Sequence, residues 1–311
     1  MRPPPVVPLV AGSLLARLRG DGLDRPPVDP GLAGGLRDWL EDGLAGPAGD
    51  VFDHNLPVRV SKKGLSQVVT CEAQLVADRE VPAGVTPELA RGSLVDALFR
   101  QWVTVGVVED PVGDALAALA AEGDRDGTVA FVVGLDPGER AGLAAEVTAH
   151  TAVVTGGWPV PSPAWLPRTQ ERLVVPLVGG RIVLSGVVDL ALGDPAGESA
   201  SVCLVEVKSG RRRAEHRADL HFYALLETLR SGAPPFRVAT YYTGTGELDA
   251  EAVPEELLVS ALERVLVAAS RLCRLASGAE PARSPNPECS WCGALPGCGP
   301  GLARVGNPEA R

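Results

Sequence analysis

Three residues of this chain have the types and spacing to do chemistry together: Asp189, Glu206 and Lys208. Lys208 stands in Val205-Glu206-Val207-Lys208-Ser209-Gly210, and Asp189 lies seventeen residues before Glu206, in Ser185-Gly186-Val187-Val188-Asp189-Leu190. Asp189 and Glu206 are hard oxygen donors suited to Mg²⁺ or Mn²⁺. On a strand, alternation puts Glu206 and Lys208 on one face. Val207 then turns its side chain the other way, into the core, with its carbonyl near the metal. Of the 29 basic residues only Lys62, Lys63 and Lys208 are lysine, and the other 26 are arginine. A chain so biased keeps a lysine where arginine cannot serve. Lysine is a compact charge whose pKa falls on desolvation, so Lys208 can orient a water or help deprotonate it, whereas arginine stays protonated. A metal would lower the pKa of that water and neutralise charge on a phosphodiester. Taken alone, Glu206-Val207-Lys208 also fits a surface strand pairing its own charges.

The elements that must position these residues are legible in the pattern. Residues 172–178 read as a strand, with Gly179-Gly180 as a tight turn. Residues 182–192 form a second strand carrying Asp189, residues 194–199 a polar turn, and residues 202–208 a third strand. A helix is predicted over 215–229, with Leu220, Tyr223, Ala224, Glu227 and Thr228 at helical spacing. Residues 236–243 are apolar and β-branched, a fourth strand, and a long helix follows over 254–276. Upstream, residues 72–170 read as mostly helical, including 93–103 and 139–153. Residues 32–44 form a short helix with Trp39 expected in the core.

This strand–strand–strand–helix–strand order around Asp189 and Glu206-x-Lys208 resembles the PD-(D/E)XK nuclease superfamily, and specifically its RecB-like exonuclease branch. Arg217-Ala218-Asp219-Leu220-His221-Phe222-Tyr223-Ala224 is similar to the family's helix motif Gln-x-x-x-Tyr, with Tyr223 matching and Asp219 in the place of Gln. Arg91-Gly92-Ser93-Leu94-Val95-Asp96 resembles the upstream Gly-x-x-x-His segment, with Asp96 in the place of His. Asp96 can still ligate a hard cation. The resemblance implies a restriction-endonuclease-like α/β core, a central mixed sheet flanked by helices, with a helical N-terminal region and insertion. It implies metal held by Asp96, Asp189, Glu206 and the Val207 carbonyl, and a helix wall shaped by Tyr223 and Asp219 beside the scissile strand. The expected organisation is a Pro/Gly-rich helical extension over 1–57 and a nuclease domain over 58–300. Within that domain come a helical insertion near 104–170, a catalytic core near 171–278 and a cysteine tail over 285–300. Residues 301–311 are expected as a flexible tail.

Six cysteines are present. Cys203 falls within a strand and Cys273 within a long helix, both most simply buried thiols. Cys289-x2-Cys292-x5-Cys298 needs one more ligand to make four, and Cys71 sits where the RecB-like branch keeps its first cluster cysteine. That resemblance implies a 4Fe–4S cluster acting as a staple. Four thiolates also suit Zn²⁺, which stays open as the alternative. No signal peptide is visible, so a disulfide framework is not expected and the expected compartment is the cytoplasm.

The net charge of −10 over 311 residues counts against indiscriminate nucleic-acid binding. Local positive charge is enough for a nuclease, and Arg211, Arg212 and Arg213, with Arg217, supply it next to Lys208; a solvated turn is the other reading. Lys62 and Lys63 could contact phosphate or simply start a solvated helix. Trp158 and Trp165 could stack on bases or pack under their proline-rich loop. His221 could face the site; satisfied surface or core positions fit all four histidines, His54, His150, His216 and His221. Pro3-Pro4-Pro5 reads as an extended start. No apolar run reaches membrane-spanning length, so a soluble protein is expected. No phosphate-binding Gly-x-x-x-x-Gly-Lys-Ser/Thr loop occurs, so any helicase would be a separate partner. The expected substrate is DNA, single-stranded or with free ends. A degenerate nuclease fold that grips DNA or a helicase without cutting is the alternative.

Overall fold

The computed structural model describes residues 11–19, 25–49, 51, 57–80, 84–195 and 199–306. In chain order the main elements are α1 (Ala11–Arg19), α2 (Leu32–Gly49), β1 (Val58–Ser61), α3 (Lys62–Thr70), α4 (Glu72–Glu80), α5 (Pro87–Val105), α6 (Pro111–Ala121), α7 (Thr128–Gly134) and α8 (Pro137–Gly157). They continue with β2 (Arg168–Leu177), β3 (Ile182–Leu192), β4 (Cys203–Lys208), α9 (Ala214–Ser231), β5 (Arg237–Tyr242), β6 (Glu247–Ala252), α10 (Glu255–Ala276) and α11 (Gly299–Val305). Their ends follow ordinary capping chemistry. Thr86 caps α5 ahead of Pro87, and left-handed Gly106 closes it; Asp136 and Glu139 form a capping box on α8.

The six strands form one mixed sheet. β3 is its hub. One edge of β3 pairs along its length with antiparallel β2. The other edge is shared: parallel β1 takes Ile182 to Ser185, and antiparallel β4 takes Leu190 to Leu192. Between them, from Gly186 to Asp189, that edge has no strand partner among the described residues, so the sheet splits there. β5 runs parallel to β4, and β6 closes the far edge antiparallel to β5.

Helices cover both faces, because strands buried on both sides need apolar cover on both. On one face α2, α9 and α10 pack Leu36, Leu40, Phe222, Leu226, Leu258 and Leu262 against Leu173, Val175, Leu184 and Leu204. On the other, Phe99 of α5, Val154 of α8 and Leu14 of α1 cover Leu190, Val205, Ala239 and Tyr241. α5 to α8 also share a satellite core around Leu94, Leu98, Leu119 and Val147.

Several expectations need correcting. Trp39 is 45% exposed, not core; α2 buries the stripe Leu36, Leu40, Leu44 and Ala48 instead, and that spacing turns Trp39 outward. β2 begins at Arg168, four residues before the predicted strand. Strands β1 and β6 are absent from the sequence pattern: β1 has only four residues, and β6 reads Glu-Leu-Asp-Ala-Glu-Ala, a charged edge strand with weak β-propensity. Gly299–Val305 is helical, so the expected flexible tail is ordered as far as α11. Pro3-Pro4-Pro5, His54, residues 307–311 and part of the 194–199 turn lie outside the described residues. Among the described residues no helix is long and apolar enough to cross a membrane.

Candidate active site

The split in the sheet brings the chemistry-bearing residues together. β3 delivers Asp189 to the gap, β4 delivers Glu206 and Lys208, and the residue directly after β1 is Lys62. Leu204 packs toward α9 and α10 while Val205 and Val207 pack toward α5 and α8, so alternation turns Glu206 and Lys208 to the α9 face. Alternation along β3 breaks at Asp189. Val188 packs with the α9 layer, yet Leu190 and Leu192 pack with the α5 layer. The position on β2 that would pair with Asp189 is Gln170, which holds a left-handed backbone at φ 53°. A non-glycine residue there costs free energy, and such strain collects at functional sites.

Glu206 is the centre of the arrangement. Lys208 Nζ donates to Glu206 Oε1 at 2.5 Å, and Lys62 Nζ donates to the same oxygen. Glu206 Oε2 is buried and has no hydrogen-bond partner among the described residues. Asp189 Oδ2 accepts from the Val207 backbone N–H at 2.7 Å. Asp96, on α5, accepts from Arg100 Nε at 3.1 Å and from Gln170 Nε2 at 3.3 Å. Lys62 also stands 3.9 Å from Asp219 Oδ2 and 5.2 Å above the Tyr223 ring. Tyr223 lies against the split at Gly186, where an added Cβ would collide with its ring.

The electrostatics follow from burial and like charge. Burial pushes the Asp189 carboxyl well up, and the neighbouring Glu206 and Asp96 push it further, against Lys208 and the Val207 N–H. Burial also raises Asp96, up to about 6, with Arg100 opposing and Glu206 reinforcing. Burial acts the same way on Glu206, but Lys208 and Lys62 outweigh it and hold Glu206 below its usual value. Burial works against a charge on Lys62, and Glu206 with Tyr223 and Asp219 outweighs it, so Lys62 is held protonated. Burial raises Asp219, opposed by Lys62 and Lys208.

Three carboxylates from α5, β3 and β4 therefore influence one another, and one of their oxygens is buried and unpartnered. That donor set fits a hard dication, which would take up the unpartnered oxygen and relieve the repulsion. As the side chains stand, no three His, Cys, Asp or Glu groups among the described residues surround one ion-sized point. Asp96 is occupied by Arg100 and Gln170, and those hydrogen bonds would have to loosen.

Comparison with known proteins supplies the family. The sequence model of the PD-(D/E)XK nuclease superfamily matches residues 59–299. The chain belongs to this superfamily. The match takes in every residue named for the candidate site and agrees with the observed restriction-endonuclease-like core, a six-stranded mixed sheet between helical layers. No curated protein matches the chain. Among solved structures, the chain is similar to one titled "Crystal structure of SSO0001", at 13% identity and a TM-score of 0.34, over 88% of this chain and 98% of that one.

Other residues singled out in the sequence of this superfamily member fall in different places. Arg211 and Arg213 are exposed at the turn after β4. Arg212 pairs with Asp249, and Arg217 pairs with Glu251 at 2.6 Å, so β6 already partners two of the four arginines. Arg212, Arg213 and Arg217, with Arg17 and Tyr242, line an open groove beside β5 and β6. His221 faces Glu251 on β6 rather than the site, at 2.8 Å. His216 is the histidine near the centre: burial lowers its pKa, and Lys208 and Arg213 lower it further. Trp158 is buried, edge-on to Phe99; Trp165 lies under Arg19. Lys63 is exposed. Lys62, read in the sequence as a possible phosphate contact, faces Glu206 across 144 residues of chain.

Cys71, Cys289, Cys292 and Cys298 line one small cavity between the end of α3 and the C-terminal tail. Burial raises the Cys292 thiol, with Cys71, Asp78 and Cys289 adding to it. The Asn286 N–H donates to Cys289 Sγ at 3.3 Å and the Gly301 N–H to Cys298 Sγ at 3.4 Å. Two of the four thiols accept backbone N–H bonds, and as the side chains stand no three of the four surround one ion-sized point. The tail is also held without the sulfurs: Glu72 Oε2 accepts the Ala282 N–H at 2.8 Å and pairs with Arg274, and Gln74 bonds Glu288 at 2.8 Å. Cys203 and Cys273 are buried in the core.

Proposed function

We propose that this protein is a Mg²⁺- or Mn²⁺-dependent DNA nuclease of the RecB-like exonuclease branch. The observation that carries this reading is the buried, unpartnered Glu206 Oε2 beside Asp189 and Asp96, with Lys208 on the same carboxylate. Asp189, Glu206 and Asp96 would hold the metal, with the Val207 carbonyl next to them. A bound dication would lower the pKa of the attacking water and neutralise charge on the scissile phosphate. Lys208 orients the water. Tyr223 and Asp219 form the α9 wall beside the scissile strand. Arg211 and Arg213, free of the β6 carboxylates, meet the backbone of single-stranded or free-ended DNA, and a separate helicase would supply such strands. Cys71, Cys289, Cys292 and Cys298 would hold a 4Fe–4S cluster, or zinc, that staples the tail to α3. Action on DNA would fit the cytoplasm, where thiols are kept reduced.

Cleavage of labelled single- and double-stranded DNA with Mg²⁺, Mn²⁺ or chelator tests the reading. Metal-dependent cutting that Asp189→Ala abolishes is the expected result. A second reading, a non-cutting module that binds DNA or a helicase, is favoured by the hydrogen bonds that Arg100 and Gln170 make to Asp96. It takes over if protein with its cysteine site loaded cuts neither DNA nor RNA with any metal.

A further inference from the structure

Helix α1 has no role yet in that reading, and its last turn gathers cations. Arg17 and Arg19 are exposed there, while Leu14 and Leu18 bury the other side of the helix. Arg25 Nη1 donates to the Arg19 carbonyl at 3.0 Å, and Arg237 Nη1 donates to the Arg17 carbonyl. Closing these carbonyls uses one nitrogen each of Arg25 and Arg237 and no nitrogen of Arg17 or Arg19. Arg19 stands 4.8 Å over the Trp165 ring, and Arg25 stands 3.4 Å over the Phe236 ring. Among the described residues none of these four arginines is paired with a carboxylate. Carbonyls and rings hold a guanidinium in place without cancelling its charge. Burial lowers the Arg25 pKa, and Arg237 and Arg19 lower it further, against Cys203. Like charges are therefore crowded at this helix end.

Arg17 also lines the open groove beside β5 and β6, with Arg213, Thr240 and Tyr242. In register, Thr240 pairs with Glu206 and Tyr242 with Lys208, and Asp249 pairs with Thr240. The groove thus begins one strand from the metal-binding row, about 5 Å away, and crosses β5 and β6 toward α1. Its lining carboxylates, Asp249 and Glu251, are taken by Arg212 and Arg217, whereas Arg213 and Arg17 stay exposed. We propose that the end of α1 is a nucleic-acid contact: a single DNA strand leaving the scissile position runs through this groove over β6, and its phosphates meet Arg17, then Arg19 and Arg25. The proposal deepens the nuclease reading and rests on it for where the strand starts.

The test reads binding rather than turnover. A labelled single-stranded oligonucleotide of about 15 nucleotides, within the span of single-strand sites, is titrated against the whole chain by anisotropy over a range of salt. Ca²⁺ is present as a hard cation the same oxygens accept. Arg17→Ala with Arg19→Ala should lower the salt slope by about 1.4, the equivalent of two phosphates, and weaken binding about tenfold near 0.1 M salt. Lysine at both positions should keep slope and affinity, because the phosphate contact needs charge. Asp249→Asn should raise affinity and slope, because it releases Arg212 into the groove. Arg79→Ala, at an exposed position on α4 outside the groove, should change neither. If the alanine pair lowers Tm, Arg17→Gln with Arg19→Gln, which keeps the side-chain stems, is read instead. The proposal is overturned if the neutral pair keeps the wild-type slope, if Asp249→Asn leaves binding unchanged, or if Arg79→Ala costs as much as the pair. Failure of the nuclease reading looks different: protein that shows these slope changes but cuts no DNA with any metal keeps the groove as a binding surface.

Discussion

At the scale of single residues the site is a problem of unlike roles for like charges. Lys208→Ala should leave Mn²⁺ binding intact and reduce kcat by orders of magnitude, because it removes the water-orienting charge and no ligand. Lys208→Arg should rescue poorly, since arginine cannot give up its proton. Calorimetric metal titration beside single-turnover cleavage separates the two effects, and a Lys208→Ala protein that loses metal would sink the assignment. Asp96 adds a pH dependence. Its folded pKa is raised from 3.8 to about 6, so between those values the native state binds more protons than the unfolded chain. Stability contributed by this group is present below the lower value and lost as pH rises through the upper one. In chelator, Asp96→Asn should therefore flatten the fall in Tm between about pH 4 and 6, whereas an unchanged profile would place the titration elsewhere. Metal needs the ionised form, so Mn²⁺ affinity of the wild type should drop as pH falls through this range.

At the scale of elements the candidate active site exists because β3 shares one edge between β1 and β4. The two strands meet β3 at different levels, and the unpaired stretch from Gly186 to Asp189 becomes the wall of a cleft. Tyr223 of α9 closes the wall over Gly186, which is why that position has no room for a side chain. Gly186→Ala should destabilise the fold by about 1–3 kcal/mol through overpacking. Chemical denaturation of Gly186→Ala with and without Tyr223→Ala tests this; full additivity would show that the two do not touch. Gln170 is the element-scale oddity, a left-handed residue in the middle of a strand, opposite Asp189. Gln170→Gly should relieve backbone strain yet weaken metal binding, because the amide that steadies Asp96 is removed. If Gln170→Gly binds Mn²⁺ as the wild type does, the side chain has no part in the site.

At the scale of the whole molecule two questions are global: what holds the tail, and where the net charge of −10 leaves room for a polyanion. On the proposal that the four thiols hold a 4Fe–4S cluster, Cys292→Ser should lose iron and with it the absorption at ~400 nm. The fall in Tm should be partial rather than total, because Glu72, Arg274 and Gln74 tie the tail to α4 independently. Colourless protein with stoichiometric zinc would replace iron by zinc and keep the staple. The arginine run is similarly distributed. Arg212 is committed to Asp249, so Arg211, Arg212 and Arg213 changed together to Ala should cut the salt slope of single-strand binding by about 1.4, as for two phosphates, rather than about 2.1. No change in slope would make the run a solvated turn.

Asp189, Glu206 and Lys208, the shared face of the last two, the long helices and the cysteine spacing are legible in the chain alone. Strand alternation, helical periodicity and ligand spacing are consequences of backbone geometry over a few residues, and each residue carries them with it. Lys62 on Glu206, Asp219 on Lys62, Gln170 on Asp96 and the neutralising of Arg212 and Arg217 by β6 are not. Each joins segments tens to hundreds of residues apart, and each depends on which strand ends meet at the split and how far β3 has turned by the time it reaches Asp189. Packing of the whole sheet between its two helical layers decides those distances, and no window of sequence contains them.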